Sequence, residues 1–356
     1  MTKTRLRKAI KRIRNLPKGK YLFLYLGNKI RHMVYRLTKS TKVAYPSTIM
    51  LELNNHCNLH CTTCPREYAY GKQMDKGYIT LAQAKGVVDE LCPYLDSIGL
   101  TGMGETFLFG EMEQIVDYIK AKNQGIVITL STNAMLPDFI ALAAKVIGKI
   151  DIFHISIDGL GETYEKIRRG ADFKTFDRNV SELAGLCRGT ETALSLDMVV
   201  TKENYRQLPE MVPYCRDKGV RGFYHTTYNL SSVTDTDAGY YQFYHSPEFM
   251  EVYRKFQETA RKYPEVEVTS WNYKGKNGFQ KCFFPWGYFY ICWNGYVTPC
   301  CAKPFPKELN FGNVFDAGVM KVLNGKAFRD FRKLWQKNET PNFCRKCHFI
   351  DIGPIE

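Results

Sequence analysis

Leu53-Asn-Asn-His-Cys57-Asn-Leu-His-Cys61-Thr-Thr-Cys64-Pro65 sets three cysteines at C-x3-C-x2-C, directly after the alternating run Thr48-Ile-Met-Leu-Glu-Leu. The alternation reads as a strand and the cysteines as its C-terminal loop. Thiolates this close on one loop can converge on a soft metal centre. A [4Fe–4S] cluster takes four such ligands, so three leave one iron open for a substrate or cofactor. Buried thiols or a four-cysteine zinc site are the plainer alternatives, but zinc favours paired CxxC or Cys/His spacings.

Outward from this loop, strand and helix patterns alternate. Strands are expected at 48–54, 97–101, 126–132, 152–157, 193–200 and 220–228, and helices at 80–94, 111–122, 137–147, 173–186 and 203–217, with Thr80 and Asn204 as N-caps. The pattern predicts an α/β fold with parallel strands, as an open doubly wound sheet or a partial barrel. In both, active residues collect at the C-terminal strand ends. The unusual residues collect there too: Cys57, Cys61 and Cys64 after the first strand, Gly102-Met103-Gly104-Glu105 after the second, Ser131-Thr132-Asn133 at the third, and Ser156 and Asp158 at the fourth. Glycines let backbone approach a ligand, Glu105 suits an ammonium group, and Ser131, Thr132 and Asn133 can bond hydroxyls or simply cap a turn.

The cysteine triplet resembles the signature of the radical S-adenosylmethionine (SAM) enzymes. That resemblance implies a partial (β/α)6 TIM-like barrel whose open iron chelates SAM. One electron, from a flavodoxin- or ferredoxin-like reductant, would then cleave SAM to methionine and a 5′-deoxyadenosyl radical. It further implies that Gly102, Met103, Gly104 and Glu105 stand where the family's GGEP motif binds the SAM amino group. Ser131, Thr132 and Asn133 would meet ribose, Ser156 and Asp158 match the fourth-strand motif, and Arg168 would take the SAM carboxylate. Thr63 replaces a usual aromatic residue, and Met103 and Thr106 depart from the Gly and Pro of GGEP. Asp197 on the fifth strand and Tyr224, His225 and Tyr228 on the sixth are candidate catalytic residues; alternation puts Tyr224 and Tyr228 on one face and His225 on the other.

Further on, Ser246-Pro247 should open a helix to about Tyr263. Cys282, Cys300, Cys344 and Cys347 then make a full ligand set, with a hairpin and a helix over 317–337 between the last groups. Zinc on the same four thiolates is the competing reading. The order Cys, G-x4-C, CxxC resembles the SPASM/twitch domains of radical SAM enzymes and implies one auxiliary [4Fe–4S] cluster, for electron transfer or substrate positioning. Cys292 and Cys301 are spares, and Cys301 could replace Cys300; Cys92, Cys187 and Cys215 read as core thiols.

The net charge of +14 is local. Residues 1–42 hold fourteen Lys or Arg and no acid, and the remaining chain balances thirty-six of each. Leu6, Ile10, Ile13 and Leu16, then Leu22, Phe23, Leu26, Ile30, Met33, Val34 and Leu37, recur at helical spacing among Arg7, Lys8, Lys11, Arg12, Arg14, Lys29, Arg31 and Arg36. Two basic amphipathic helices are expected, lying on an anionic membrane surface or packed on the body as a lead-in. The longest apolar run is far short of a span, no secretory signal is visible, and a nucleic-acid partner is not indicated for the neutral body.

The expected organisation is thus residues 1–46 as the basic segment, 47–230 as the radical SAM core, 231–281 as a bridge and 282–350 as a small Cys-rich α+β domain. Clustered cysteines and an open cluster suit a reducing cytoplasm, peripheral to a membrane if the basic segment binds one. The leading functional expectation is oxidation or epimerisation of a saccharide or lipid-linked glycan. Peptide cross-linking and non-catalytic electron transfer are the alternatives.

Overall fold

The computed structural model describes residues 10–13, 15–270, 282, 284–353 and 355. Leu6, Arg7, Lys8, Arg14 and residues 271–281 of the expected bridge lie outside them. Nine strands form: β1 (Thr48–Leu51), β2 (Ser97–Leu100), β3 (Val127–Thr132), β4 (Ile152–Ser156), β5 (Ala193–Val200), β6 (Gly222–Thr227), β7 (Glu267–Ser270), β8 (Phe289–Ile291) and β9 (Val297–Thr298), in the sheet order β7-β6-β5-β4-β3-β2-β1-β8-β9. β1 is parallel to β2 and β8, and β4 to β7 are parallel to one another; β9 returns antiparallel to β8. This is an α/β fold with a mostly parallel sheet, consistent with the expected partial barrel. All six anticipated strands are present; β7 was not anticipated, and the β8–β9 hairpin lies before Cys300 rather than between Cys300 and Cys344.

Helices fall where apolar periodicity put them, with local chemistry fixing their ends. Thr80 starts Leu81–Leu91 through a complete capping box with Gln83, and Ser246 caps Pro247–Lys262 by accepting from Phe249 N. Asn204 does not act as the expected side-chain cap. Its amide instead donates to Asp158 O and Val199 O, at 3.0 and 2.8 Å. The helix expected over 317–337 is two helices, Val319–Leu323 and Lys326–Gln336, broken at Asn324-Gly325. Asn324 leaves the helical path because its side chain pairs with both Val43 N and Val43 O.

The residues group into two compact units. One comprises 1–56, 73–129 and 276–345; the other comprises 57–72, 130–275 and 346–356. In the first, helix Lys20–Leu37 docks through Tyr25, whose hydroxyl donates to Asp96 at 2.9 Å, and through Asn28, which exchanges bonds with Tyr45. Lys29 and Arg12 pair with the same Asp96. One side of this helix is thus held to the body. No helix among the described residues is long and apolar enough to cross a membrane.

In the second unit the strands bury one face completely. On β5, Leu194, Leu196, Met198 and Val200 are buried, while Ser195, Asp197 and Val199 are half-buried. β6 repeats this, burying Phe223 and His225 and leaving Tyr224 half-buried.

Candidate active site

Glu52 organises the glycine turn of the first unit. It ends β1 where alternation would allow a polar side chain, yet it is only 2% exposed. Its carboxylate accepts from Met103 N at 2.8 Å, Tyr290 Oη at 2.7 Å and Trp293 N at 3.2 Å. A Cβ at position 102 would lie 2.3 Å from Glu52 Cγ, and one at 104 would lie 2.3 Å from His56 O, so both positions require glycine. Asn54 Nδ2 donates to Glu105 O, and Glu105 N to His56 O. The Gly102–Glu105 turn is thereby clamped to the loop leaving β1. Glu105 is buried, and one of its oxygens accepts from Phe107 N at 3.2 Å. Glu52 was not singled out in the sequence; a lone carboxylate in an otherwise apolar run was its only signal.

In the second unit, the Cys57–Cys64 loop lies along the turn that ends helix Glu162–Ile167. His60 N donates to Arg169 O and Thr62 N to Ile167 O, at 3.0 and 2.8 Å. Tyr68 Oη closes the loop onto Thr62 O at 2.6 Å. Asn133, at the end of β3, donates to Asn58 Oδ1 at 2.8 Å and approaches Cys57 Sγ at 3.7 Å, while its own oxygen accepts from Met135 N. Thr132 Oγ1 accepts from Ala134 N at 3.0 Å, which ties down the turn after this strand end. Met103 contributes a backbone N–H rather than a side chain.

Burial pushes the Cys64 thiol up to about 12, partly offset by the Arg66 N–H, and raises Cys61 against the pull of Arg168. A thiolate here therefore wants a bonded cation. Around the loop, Arg66 Nε, Arg168 Nε and Tyr164 Oη are buried donors with no hydrogen-bond partner. Orphaned donors beside three thiols fit an anionic iron–sulfur cluster and a ligand carboxylate. Among the described residues no three His, Cys, Asp or Glu side chains converge on a single ion. A cluster bonded one thiolate per iron does not need them to.

Asp158 is 1% exposed. It pairs with Arg168 at 2.9 Å and accepts from Val199 N. Burial alone would depress the Arg168 guanidinium, but Asp158, with Cys61 next, holds it charged and raises its pKa. Ser156 lies in register with Asp197 on β5.

Asp197 is bracketed by His154 Nδ1 at 2.8 Å and Ser195 Oγ at 2.6 Å on the half-buried face. His154 escaped the sequence reading because one histidine in a strand carries no spacing signal. His225 is on the opposite face, edge-on to Phe256 at 4.9 Å, and burial pushes it down to about 3. That placement makes it a core residue. Tyr228 is 8% exposed with its hydroxyl 3.5 Å from Thr62 O; burial, then Tyr68, raises its pKa.

The later cysteines divide. Cys300, Cys301 and Cys344 are half-buried in the first unit, as is Cys282; Cys347 is half-buried in the second. Lys303 holds the Cys300 and Cys344 segments together, donating to Phe343 O at 2.9 Å, lying 4.3 Å over the Phe343 ring and pairing with Glu308. Burial raises Cys300, and the N–H groups of Ala302 and Lys303 oppose this by donating toward the sulfur. Cys347 follows Lys346, a left-handed residue whose ammonium binds Val233 O and Thr236 O at 2.7 Å. Cys292, the expected spare, is 1% exposed with its thiol toward Pro304 O. Cys187 and Cys215 are core thiols; Cys92 is half-buried at the end of its helix.

Residues 51–228 match the radical SAM superfamily, and residues 282–348 match SPASM, an iron–sulfur cluster-binding domain. The pre-heme d1 synthase of Dinoroseobacter shibae is 28% identical over 49% of this chain and 42% of its own length, so this chain spans under half of that relative. The PqqA peptide cyclase of Bradyrhizobium diazoefficiens is 23% identical over 86% of this chain and 80% of its own. The Streptococcus suis SuiB structure bound to precursor peptide SuiA superposes with a TM-score of 0.67 at 17% identity, covering 95% of this chain and 76% of that one.

Proposed function

From the premise that this chain belongs to the radical SAM superfamily and carries a SPASM domain, we propose that it modifies a peptide, joining two of its side chains by a new bond. Its cofactors are SAM and [4Fe–4S] clusters. The carrying observation is the extent of the alignment with a peptide cyclase, 86% of this chain. The saccharide or lipid-linked glycan expectation has no comparable support and gives way, and with it the oxidoreductase or epimerase reading.

When bound to the open cluster, SAM supplies, on reduction by an external flavodoxin- or ferredoxin-like protein, a carbon radical that removes one hydrogen atom from the peptide. In this reading Cys57, Cys61 and Cys64 hold that cluster. Glu105 and the Gly102–Gly104 backbone receive the SAM ammonium. Asn133, with Ser131 and Thr132, orients ribose, and Ser156 borders the same site. Arg168, fixed by Asp158, meets the carboxylate with its orphaned Nε. Cys282, Cys300, Cys344 and Cys347 would hold an auxiliary cluster, which would supply an electron acceptor, with Cys301 as the alternative to Cys300. Closing the bond then requires loss of one proton, for which Asp197, buttressed by His154, is the acceptor; Tyr224 shares its face.

The reaction would balance as two hydrogens lost from the peptide: one atom to 5′-deoxyadenosine, one proton to Asp197, and one electron to the acceptor that an auxiliary cluster would supply. The test is incubation of reduced holoenzyme and SAM with short peptides encoded beside it. A peptide product lighter by two hydrogens, formed one-for-one with 5′-deoxyadenosine, is expected. Deuterium transfer from a labelled saccharide but from no peptide overturns the reading, and absence of any 5′-deoxyadenosine would return the chain to electron transfer. Asp197→Asn should abolish product while 5′-deoxyadenosine formation continues. Equal loss of both would remove Asp197 from the proton step.

A further inference from the structure

Helix Lys20–Leu37 is turned the wrong way for a soluble lead-in. The side it packs on the body carries Tyr25 and Asn28, whereas the opposite side carries Phe23, Leu26, Ile30, Met33, Val34 and Leu37, all exposed. At 3.6 residues per turn these six fall in one stripe. Phe23 and Leu37 are 76% exposed and Ile30 and Met33 57%, and most of the large apolar side chains exposed on the described residues lie between Ile10 and Leu37.

Cations border the stripe on both sides, Lys29 and Arg36 along one edge and Lys20 and Arg31 along the other. Along the Lys29–Arg36 edge a cavity of about 950 Å³ is lined by Lys29, Arg36, Lys39, Lys42 and Trp286. Met33 and Leu37 belong to both stripe and cavity wall. Lys29 is engaged by Asp96, but among the described residues neither Arg36 nor Lys42 forms an ion pair.

We propose that this helix lies in the plane of an anionic bilayer, its stripe among the acyl chains, and that the cavity receives one anionic phospholipid headgroup. An amphipathic helix with basic flanks is the arrangement that binds such surfaces, the long cations reaching back to the phosphates. A second copy of this chain is a poor occupant, because residues 1–42 carry fourteen cations and no carboxylate to face them. The inference is independent of the peptide reading, since it concerns where the enzyme works and not what it modifies.

The test uses the full-length holoenzyme and sedimentation with vesicles of equal phosphatidylglycerol and phosphatidylcholine, or of phosphatidylcholine alone. Binding to the anionic vesicles, at least tenfold weaker on the neutral ones and weakened by salt, is expected. Ile30→Glu with Leu37→Glu should reduce it tenfold or more, and Arg36→Glu with Lys42→Glu several-fold, with SAM cleavage unchanged in both to show an intact fold. Wild-type protein left in the supernatant overturns the proposal. So does a dimer in solution that the stripe variants convert to monomer with vesicle binding unaltered. Saturable binding of soluble glycerophosphate without vesicle binding also overturns it.

Discussion

The two cysteine regions differ less in their ligands than in what surrounds them. The Cys57–Cys64 loop is ringed by ionisable and hydrogen-bonding groups, Arg66, Tyr164, Arg168 and Asn133, several with capacity left over. Around Cys300 the surroundings are saturated: backbone N–H groups point to the sulfur, and the nearest cation, Lys303, is spent on Phe343 O and Glu308. Unspent donors suit a site that must still accept a ligand, and spent ones a site already complete. That is the difference expected if three cysteines hold an open cluster and four hold a closed one.

The largest expected effect separates the two regions outright. Cys61→Ala should halve the iron, from about eight to about four atoms per chain, and abolish SAM cleavage. Cys344→Ala should cost the same iron yet leave reductive SAM cleavage running without product. Iron analysis and 5′-deoxyadenosine assay check both, and equal loss of SAM cleavage in the two variants would erase the distinction.

Arg168→Met comes next. It strands Asp158, 1% exposed, without its partner, which should cost about 3–5 kcal/mol in chemical denaturation. Adding Asp158→Asn should recover most of the stability but not SAM affinity. If affinity returns as well, Arg168 is structural only.

Lys303→Met probes the saturated region. It leaves Glu308 unpaired and cuts the tie to Phe343, for about 1–3 kcal/mol. Auxiliary iron should leave faster under chelator, with the first cluster's iron unaffected.

The last effect depends on pH and sets the acid background for both regions. His225 is neutral in the fold, its pKa pushed from 6.5 down to about 3 by burial. Between those values the unfolded chain takes up a proton that the fold refuses, so stability is full above pH 6.5 and falls as pH drops. The slope is about 1.4 kcal/mol per pH unit, ending near pH 3. His348, pushed down to about 4 by burial, adds a slope of its own over this range, so His225→Phe should lower the total slope by about 1.4 kcal/mol per pH unit without abolishing it in melts run between pH 6.5 and 4.5.

The strands of the second unit were legible because β4, β5 and β6 bury one face and leave the other largely half-buried, which forces alternation, and because the motifs mark the strand ends. Glu52 and His154 were not legible for a related reason. On a sheet with one wet face, a polar residue in an alternating strand reads as solvent-facing; here Glu52 is buried and its donors come from positions 103, 290 and 293. No local pattern reports partners so distant in the chain. The break in the 317–337 helix was written plainly as Asn324-Gly325, and apolar periodicity on both sides masked it. β7 is a four-residue strand at the end of the sheet order, too short to show a period.

The Glu52 anchor carries a consequence for recombination. One carboxylate joins β1, the turn after β2 and the Tyr290–Trp293 segment at β8, so the catalytic core and the C-terminal domain are not interchangeable parts. A chimera that imports another chain's cysteine-rich domain must bring a hydroxyl at 290 and an open N–H at 293. Without them it would bury an unanswered charge directly beneath the glycine turn.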